Sequence, residues 1–213
     1  MSGGTAALRA EIAPGVWVAT AGTEDSRSWA RPADLAAASG MPPWRAREFL
    51  AGRGLLRALL NDVHRPAAGA AVAARRGGKP YLRGWPRLGI SISHDGGRVA
   101  ACAAVDRAVG VDLQHPRESA VGPLLRRVPS ARTAGLAALP GEDAARELAW
   151  IWTAQEACVK ATGAGFSGRP WAIDIPPWRC SGDWRGYRWI SLRGLSQTPL
   201  SCAFAMNREE GRT

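Results

Sequence analysis

At 213 residues the chain can bury a core without disulfide or metal support, and its length fits one domain or two small ones. Lysine and arginine outnumber aspartate and glutamate by 28 to 18, a formal charge of +10, which favours a polyanionic partner: nucleic acid, an acidic protein, a membrane surface or a phosphorylated cofactor. Cys102, Cys158, Cys180 and Cys202 lie far apart with no CxxC or Cys/His cluster, so neither a zinc site nor a disulfide framework is expected.

In chain order, the opening stretch MSGGTAALRAEIAPG lacks the basic-then-apolar pattern of a secretory leader. No run reaches the roughly 18 apolar residues of a membrane span, and the expectation is a reduced, cytoplasmic protein. Residues 42–61 carry Phe49, Leu50, Leu55, Leu56, Leu59 and Leu60 at helical spacing with arginines 45, 47, 53 and 57 between them, which predicts an amphipathic basic helix tolerating Gly52 and Gly54. A Gly/Pro-rich link over 75–86 leads to a strand over 88–93, with Ile90 and Ile92 on one face and Ser91 and Ser93 on the other. His94, Asp95, Gly96 and Gly97 break it. Residues 99–105 and 108–114, joined by Asp106 and Arg107, read as a buried hairpin whose second strand places Asp112 and Gln114 on one face.

Residues 142–162 give the clearest helix, with a stripe of Leu148, Ile151, Trp152, Cys158 and Val159 and a stop at Gly163 and Gly165. Glu156 and Lys160 share one edge of that stripe, and Gln155 points into it, where its amide needs a partner. Strands are expected over 190–195 and 200–206. The late tryptophans, Trp171, Trp178, Trp184 and Trp189, read singly as packing residues. Helix, strands, helix and strands together argue for a mixed α/β or α+β fold with two small lobes and a cleft between them. Ser93, His94 and Asp95 do not form a hydrolase triad, because adjacent strand residues point apart.

Three segments matter together: Ser91-Ile92-Ser93-His94, Gly110-Val111-Asp112-Leu113-Gln114, and Trp152 through Lys160 with Glu156 between them. In this order and spacing they resemble the surfactin-type 4′-phosphopantetheinyl transferases, whose pattern runs Ser-His, Gly-x-Asp-x-Glu, then Trp-x-x-Lys-Glu-x-x-x-Lys. The likeness is strongest over residues 78–166. It implies an α+β fold built as a pseudo-twofold pair of similar lobes, residues 1–108 and 109–213, with the coenzyme at their junction. The implied reaction moves the phosphopantetheine arm of coenzyme A to a serine of an acidic acyl or peptidyl carrier protein. The alternative is a divergent member that binds coenzyme A or a carrier arm without transfer.

On the resemblance, Asp112 and Glu156 bind Mg2+ with Gln114 beside them, and Lys160 and His94 hold phosphates with Ser93. Lys79 and Pro80, in a Gly-Lys-Pro run, border the adenine. The remaining phosphate contact falls to Arg47 or Arg53, with Glu48 standing where the best register puts an arginine. Net charge then serves carrier association, with neither nucleic acid nor membrane as partner, and the chain is expected to act as a monomer. Three departures stand out: Gln114 replaces a carboxylate, Gln155 replaces a lysine, and residues 126–139 lack a glutamate that would take the serine proton. Metal-bound water, Glu118, Glu142 or bulk water acting on a well-positioned serine can take the place of that base.

Overall fold

The computed structural model describes residues 8–122, 135–136 and 138–207. Most of the predicted departure at 126–139 therefore lies outside the described residues. In chain order the elements are β1 (Leu8–Ala13), β2 (Val16–Gly22), α1 (Thr23–Ser26), α2 (Pro32–Ala38), α3 (Pro43–Val63), β3 (Val72–Ala74), β4 (Pro80–Leu82), β5 (Leu88–Asp95) and β6 (Arg98–Val105). They continue with β7 (Val109–Leu113), α4 (Gly141–Thr162), β8 (Ser181–Trp184), β9 (Tyr187–Ser191) and β10 (Leu200–Ala205). No described helix is long and apolar enough to cross a membrane, and all four cysteines are free thiols.

The strands form two antiparallel sheets, ordered β1-β2-β6-β5-β4-β3 and β7-β10-β9-β8. The order β2-β6-β5-β4 has the same connectivity as β7-β10-β9-β8, each with a long helix after its first strand. Period-two alternation along β6 sets the layers. Val99, Ala101 and Ala103 pack with Leu55, Leu56 and Leu59 of α3, whereas Ala100, Cys102 and Ala104 pack with Val109, Val111 and Phe204 of the second sheet. The far face of that sheet, through Trp189 and Ala203, meets Leu148, Ile151 and Cys158 of α4. Four layers result: helix, sheet, sheet, helix.

This arrangement corrects several expectations. The strands over 99–105 and 108–114 are not a hairpin. Both edges of β6 are already taken, by β2 and β5, so the chain turns at Asp106 (φ 57°) and β7 pairs instead with β10. The actual hairpin is β5–β6, and β5 runs on through His94 and Asp95 to the Gly96–Gly97 turn. The link over 75–86 contains β4, the strand expected at 190–195 is β9 and ends at Ser191, and β1 and β2 had no clear sequence signal.

Within α3, Gly52 and Gly54 are required rather than tolerated: a Cβ would lie 2.7 Å from Ile92 Cγ2 at the first and 1.9 Å from the Ser26 carbonyl oxygen at the second. Nor is Arg57 part of a solvated face. It is 2% exposed, donates to both carboxylate oxygens of Asp34 and caps the carbonyls of Ala68 and Ala70.

Candidate active site

The two sheets meet at the edge of β7. Ser91 and Ser93 point away from α3, as their alternation with Ile90 and Ile92 requires. Their hydroxyl oxygens accept the backbone N–H groups of Val111 (3.2 Å) and Leu113 (3.4 Å). Side chains of one strand thus satisfy the free edge of another, where no backbone partner is offered.

This contact brings Ser93 against Asp112. The Ser93 hydroxyl donates to Asp112 Oδ1 at 2.7 Å, and Lys160 Nζ donates to Ser93 Oγ at 3.0 Å and to Asp112 Oδ1 at 2.6 Å. With one proton given and two accepted, the Ser93 hydroxyl is saturated. Lys160 reaches β7 from the last turn of α4, which carries Glu156 one turn earlier. Asp112, Glu156, Lys160, Gln114 and Trp152 line one pocket of about 290 Å3 with His94 and Arg117. Sequence reasoning treats Glu156 and Lys160 as neighbours on one helix; in the fold Lys160 spends its charge on Asp112.

Burial, and then the negative charge of Asp112, raise the proton affinity of the Glu156 carboxyl above its ordinary value, against the opposing pull of Lys160. His94 lies on the other face of β5, toward α3. Arg45 donates to its Nε2 at 2.5 Å, while Glu48 Oε2 lies 3.3 Å from its Nδ1. Burial lowers the His94 pKa; Glu48 opposes this, and Arg45 and Lys160 reinforce it. The imidazole is therefore neutral near pH 7, with Nε2 as acceptor.

Four residues singled out from sequence sit elsewhere. Lys79 and Pro80 line a separate cavity of about 800 Å3. The Lys79 ammonium donates to the carbonyls of Val109 (3.0 Å), Lys160 (2.6 Å) and Ala161 (2.6 Å). It caps the C-terminal end of α4 and ties it to the start of β7, with burial pushing its pKa down to about 8. Arg47 lies 3.8 Å from Glu24, and the Arg53 guanidinium stacks 4.8 Å over the Phe49 ring; neither lines the pocket. Arg45 is the arginine of α3 that touches a pocket residue, a placement visible from the N-terminal turn only once β5 is known to end beside it.

Gln155 is buried and donates to the Ile173 carbonyl at 2.7 Å, so the amide meets the partner its position demanded, away from the pocket. Gln114 does line the pocket. Glu118 and Glu142 are exposed and outside its lining. Sequence reasoning missed Arg117, which lines the pocket while donating to Asp95 at 2.5 Å; Asp95 also accepts the His115 backbone N–H.

The described residues contain no cluster of three or more His, Cys, Asp or Glu side chains able to cage a metal. Two carboxylates and a carboxamide facing one pocket are nevertheless a hard-oxygen set. Mg2+ needs only one or two protein carboxylates when phosphate oxygens and water complete its octahedron. Glu156 is held toward its protonated form first by burial and then by the negative charge of Asp112, which the Lys160 ammonium offsets in part. The residues fit a divalent cation that arrives with a phosphorylated ligand.

No curated protein matches the chain. Residues 108–201, which carry Asp112, Gln114, Glu156 and Lys160 but not Lys79, Ser93 or His94, match the family model of the 4′-phosphopantetheinyl transferase superfamily.

Proposed function

We propose that the chain transfers the 4′-phosphopantetheine arm of coenzyme A to a serine of an acyl or peptidyl carrier protein, using Mg2+. One observation carries this reading: Asp112, Glu156 and Lys160 converge on a single pocket within the segment that matches the superfamily. The repeated strand order of the two sheets supports a pseudo-twofold pair of lobes with the coenzyme at their junction.

In the reaction the serine Oγ bonds to the phosphorus that bears the pantetheine arm. The bond from that phosphorus to the bridging diphosphate oxygen breaks, and its electron pair leaves with adenosine 3′,5′-bisphosphate. Asp112 and Glu156, with Gln114 beside them, would hold Mg2+, which would supply electrophilic activation of the diphosphate. Lys160 offsets the charge that builds on the departing phosphate. Glu118 and Glu142 lie outside the pocket, so the hydroxyl proton passes to water. Lys79 acts at a distance, by holding the end of α4 against β7. The net charge of +10 speeds encounter with an acidic carrier.

Intact-mass analysis of a panel of apo-carrier proteins with coenzyme A and Mg2+ tests this, the expected result being the gain of one phosphopantetheine on at least one carrier. Gln114, an uncharged group at the pocket wall, favours a second reading, a binder of coenzyme A or of a carrier arm without transfer. Calorimetric binding of coenzyme A with no modification of any carrier would select it.

A further inference from the structure

A second cleft, of about 500 Å3, lies between the end of α4 and the β8–β9 turn. It shares no lining residue with the pocket of Asp112, Glu156 and Lys160. The two sit toward opposite ends of the second sheet: Tyr187 pairs with Ala205 and Phe204 with Val109, where β7 begins, whereas that pocket lies where β7 ends. The cleft joins an apolar wall, Ile173 and Ala172, to the rings of Trp184 and Tyr187 and to two arginines, Arg169 and Arg185. Among the described residues no carboxylate lines it.

Neither arginine meets a carboxylate among the described residues. Asp183, the acidic residue of the same hairpin, is held by Arg188 through bonds of 2.9 and 3.2 Å, and the Arg185 guanidinium lies 5.3 Å over the Trp184 ring. The cleft's hydroxyls are spent within the chain, Thr162 donating to the Val159 carbonyl and Ser167 to that of Ala164. The guanidinium N–H groups and the Tyr187 phenol, which burial keeps protonated, are left to meet a ligand.

Both arginines also stand where the backbone disfavours them. Arg185 (φ 48°) and Gly186 (φ 81°) form the two-residue β8–β9 turn, whose first position suits Asn, Asp or Gly. Arg169 (φ 48°, ψ 65°) is left-handed directly before Pro170, where sterics drive a residue toward extended backbone. Left-handed backbone is costly for a residue with a Cβ and gathers at ligand sites. Folding alone gives no reason for two such arginines in one cleft. Paired guanidinium forks match phosphoryl oxygens, and the apolar and aromatic wall suits a carbon skeleton. We infer that this cleft binds the phosphoryl group of a small organic phosphate, at a site separate from the transfer pocket.

The test is calorimetric titration of the full chain, without Mg2+, with adenosine 5′-monophosphate and with inorganic phosphate, in the native protein, Arg169→Asn and Arg185→Asn. Asparagine tolerates the left-handed region, so both variants are expected to unfold no lower than the native chain while each weakens adenosine 5′-monophosphate about tenfold, the worth of one charge-assisted contact. The native protein is expected to prefer adenosine 5′-monophosphate to inorganic phosphate. No binding of the nucleotide, equal affinity for the two probes, or an affinity that either variant leaves unchanged overturns the assignment. Unchanged affinity together with a raised KM for the carrier in both variants overturns it in favour of a protein-docking face. Carrier modification by the native protein tests the transferase reading separately.

Discussion

Lys160 Nζ on α4 and Asp112 Oδ1 on β7, the edge strand that α4 packs against, stand 2.6 Å apart with the Ser93 hydroxyl bonded to both. Removing the lysine strands a carboxylate whose side chain is only 9% exposed. Lys160→Met is expected to cost about 3 kcal/mol, the low end for an orphaned buried charge because the lysine itself is partly solvated. Lys160→Met combined with Asp112→Asn should recover part of that loss. Urea unfolding of the two single variants and the double variant measures the coupling; additive losses would mean that the pair contributes no net interaction.

Glu156 and Asp112 share one field. Asp112 is the second cause of the raised Glu156 pKa, after burial, so Asp112→Asn should lower it, while Lys160→Met should raise it further. Carboxyl carbon chemical shifts followed through an acid titration report the value directly.

Lys79 offers a pH signature of its own. Its folded-state pKa of about 8 lies below the value of 10.5 for a free lysine, so between those pH values the unfolded chain binds the extra proton and stability rises with pH. Lys79→Met removes this slope. The variant also leaves the carbonyls of Val109, Lys160 and Ala161 without their ammonium donor, for a loss of about 3 kcal/mol. Thermal unfolding at pH 7.0 and at pH 9.5, values chosen to bracket the titration, should show a smaller difference for the variant than for the native chain.

Alanine normally stabilises a helix over glycine by about 1 kcal/mol. Gly54→Ala should do the reverse, by about 2 to 3 kcal/mol, since its Cβ would lie 1.9 Å from the Ser26 carbonyl oxygen. Gly52→Ala should also destabilise but cost less, because the atom it meets is a side-chain carbon, Ile92 Cγ2, rather than backbone. Chemical denaturation of both ranks them; a stabilised Gly54→Ala would mean that α3 and the turn at Ser26 separate easily.

The long helices and the buried strand over 98–105 were legible because their patterns are local: a 3.6 period in α4, a run of small apolar residues in β6. The Ser91/Ser93 alternation even gave the correct face for each hydroxyl. What sequence could not supply was pairing. Val99 through Val105 followed by Val109 through Leu113 has every local mark of a hairpin, and only the prior claim of β2 and β5 on both edges of β6 sends β7 to another sheet. The same limit applies at the site. Asp112, Glu156 and Lys160 were legible as a spaced triplet and do meet. The destination of the Lys79 ammonium and the choice of Arg45 over Arg47 or Arg53 at His94 depend on long-range placement, which one residue's shift along α3 would change.

Each sheet closes its own backbone hydrogen bonds within one continuous stretch of chain, 8–105 for the first and 109–205 for the second. What crosses the join includes an apolar interface, the Lys79 ammonium, the two serine hydroxyls of β5 and the Asp95 carboxylate, which accepts from His115 N–H and Arg117. A protein with that wiring is a natural candidate for splitting. Cut at the 106–108 crossover, the two halves should be unable to hide their facing apolar surfaces alone, yet should reassemble when co-expressed and rebuild the pocket from β5 of one fragment and β7 and α4 of the other. Chain continuity would then be dispensable, and the pocket would exist only while both fragments hold together.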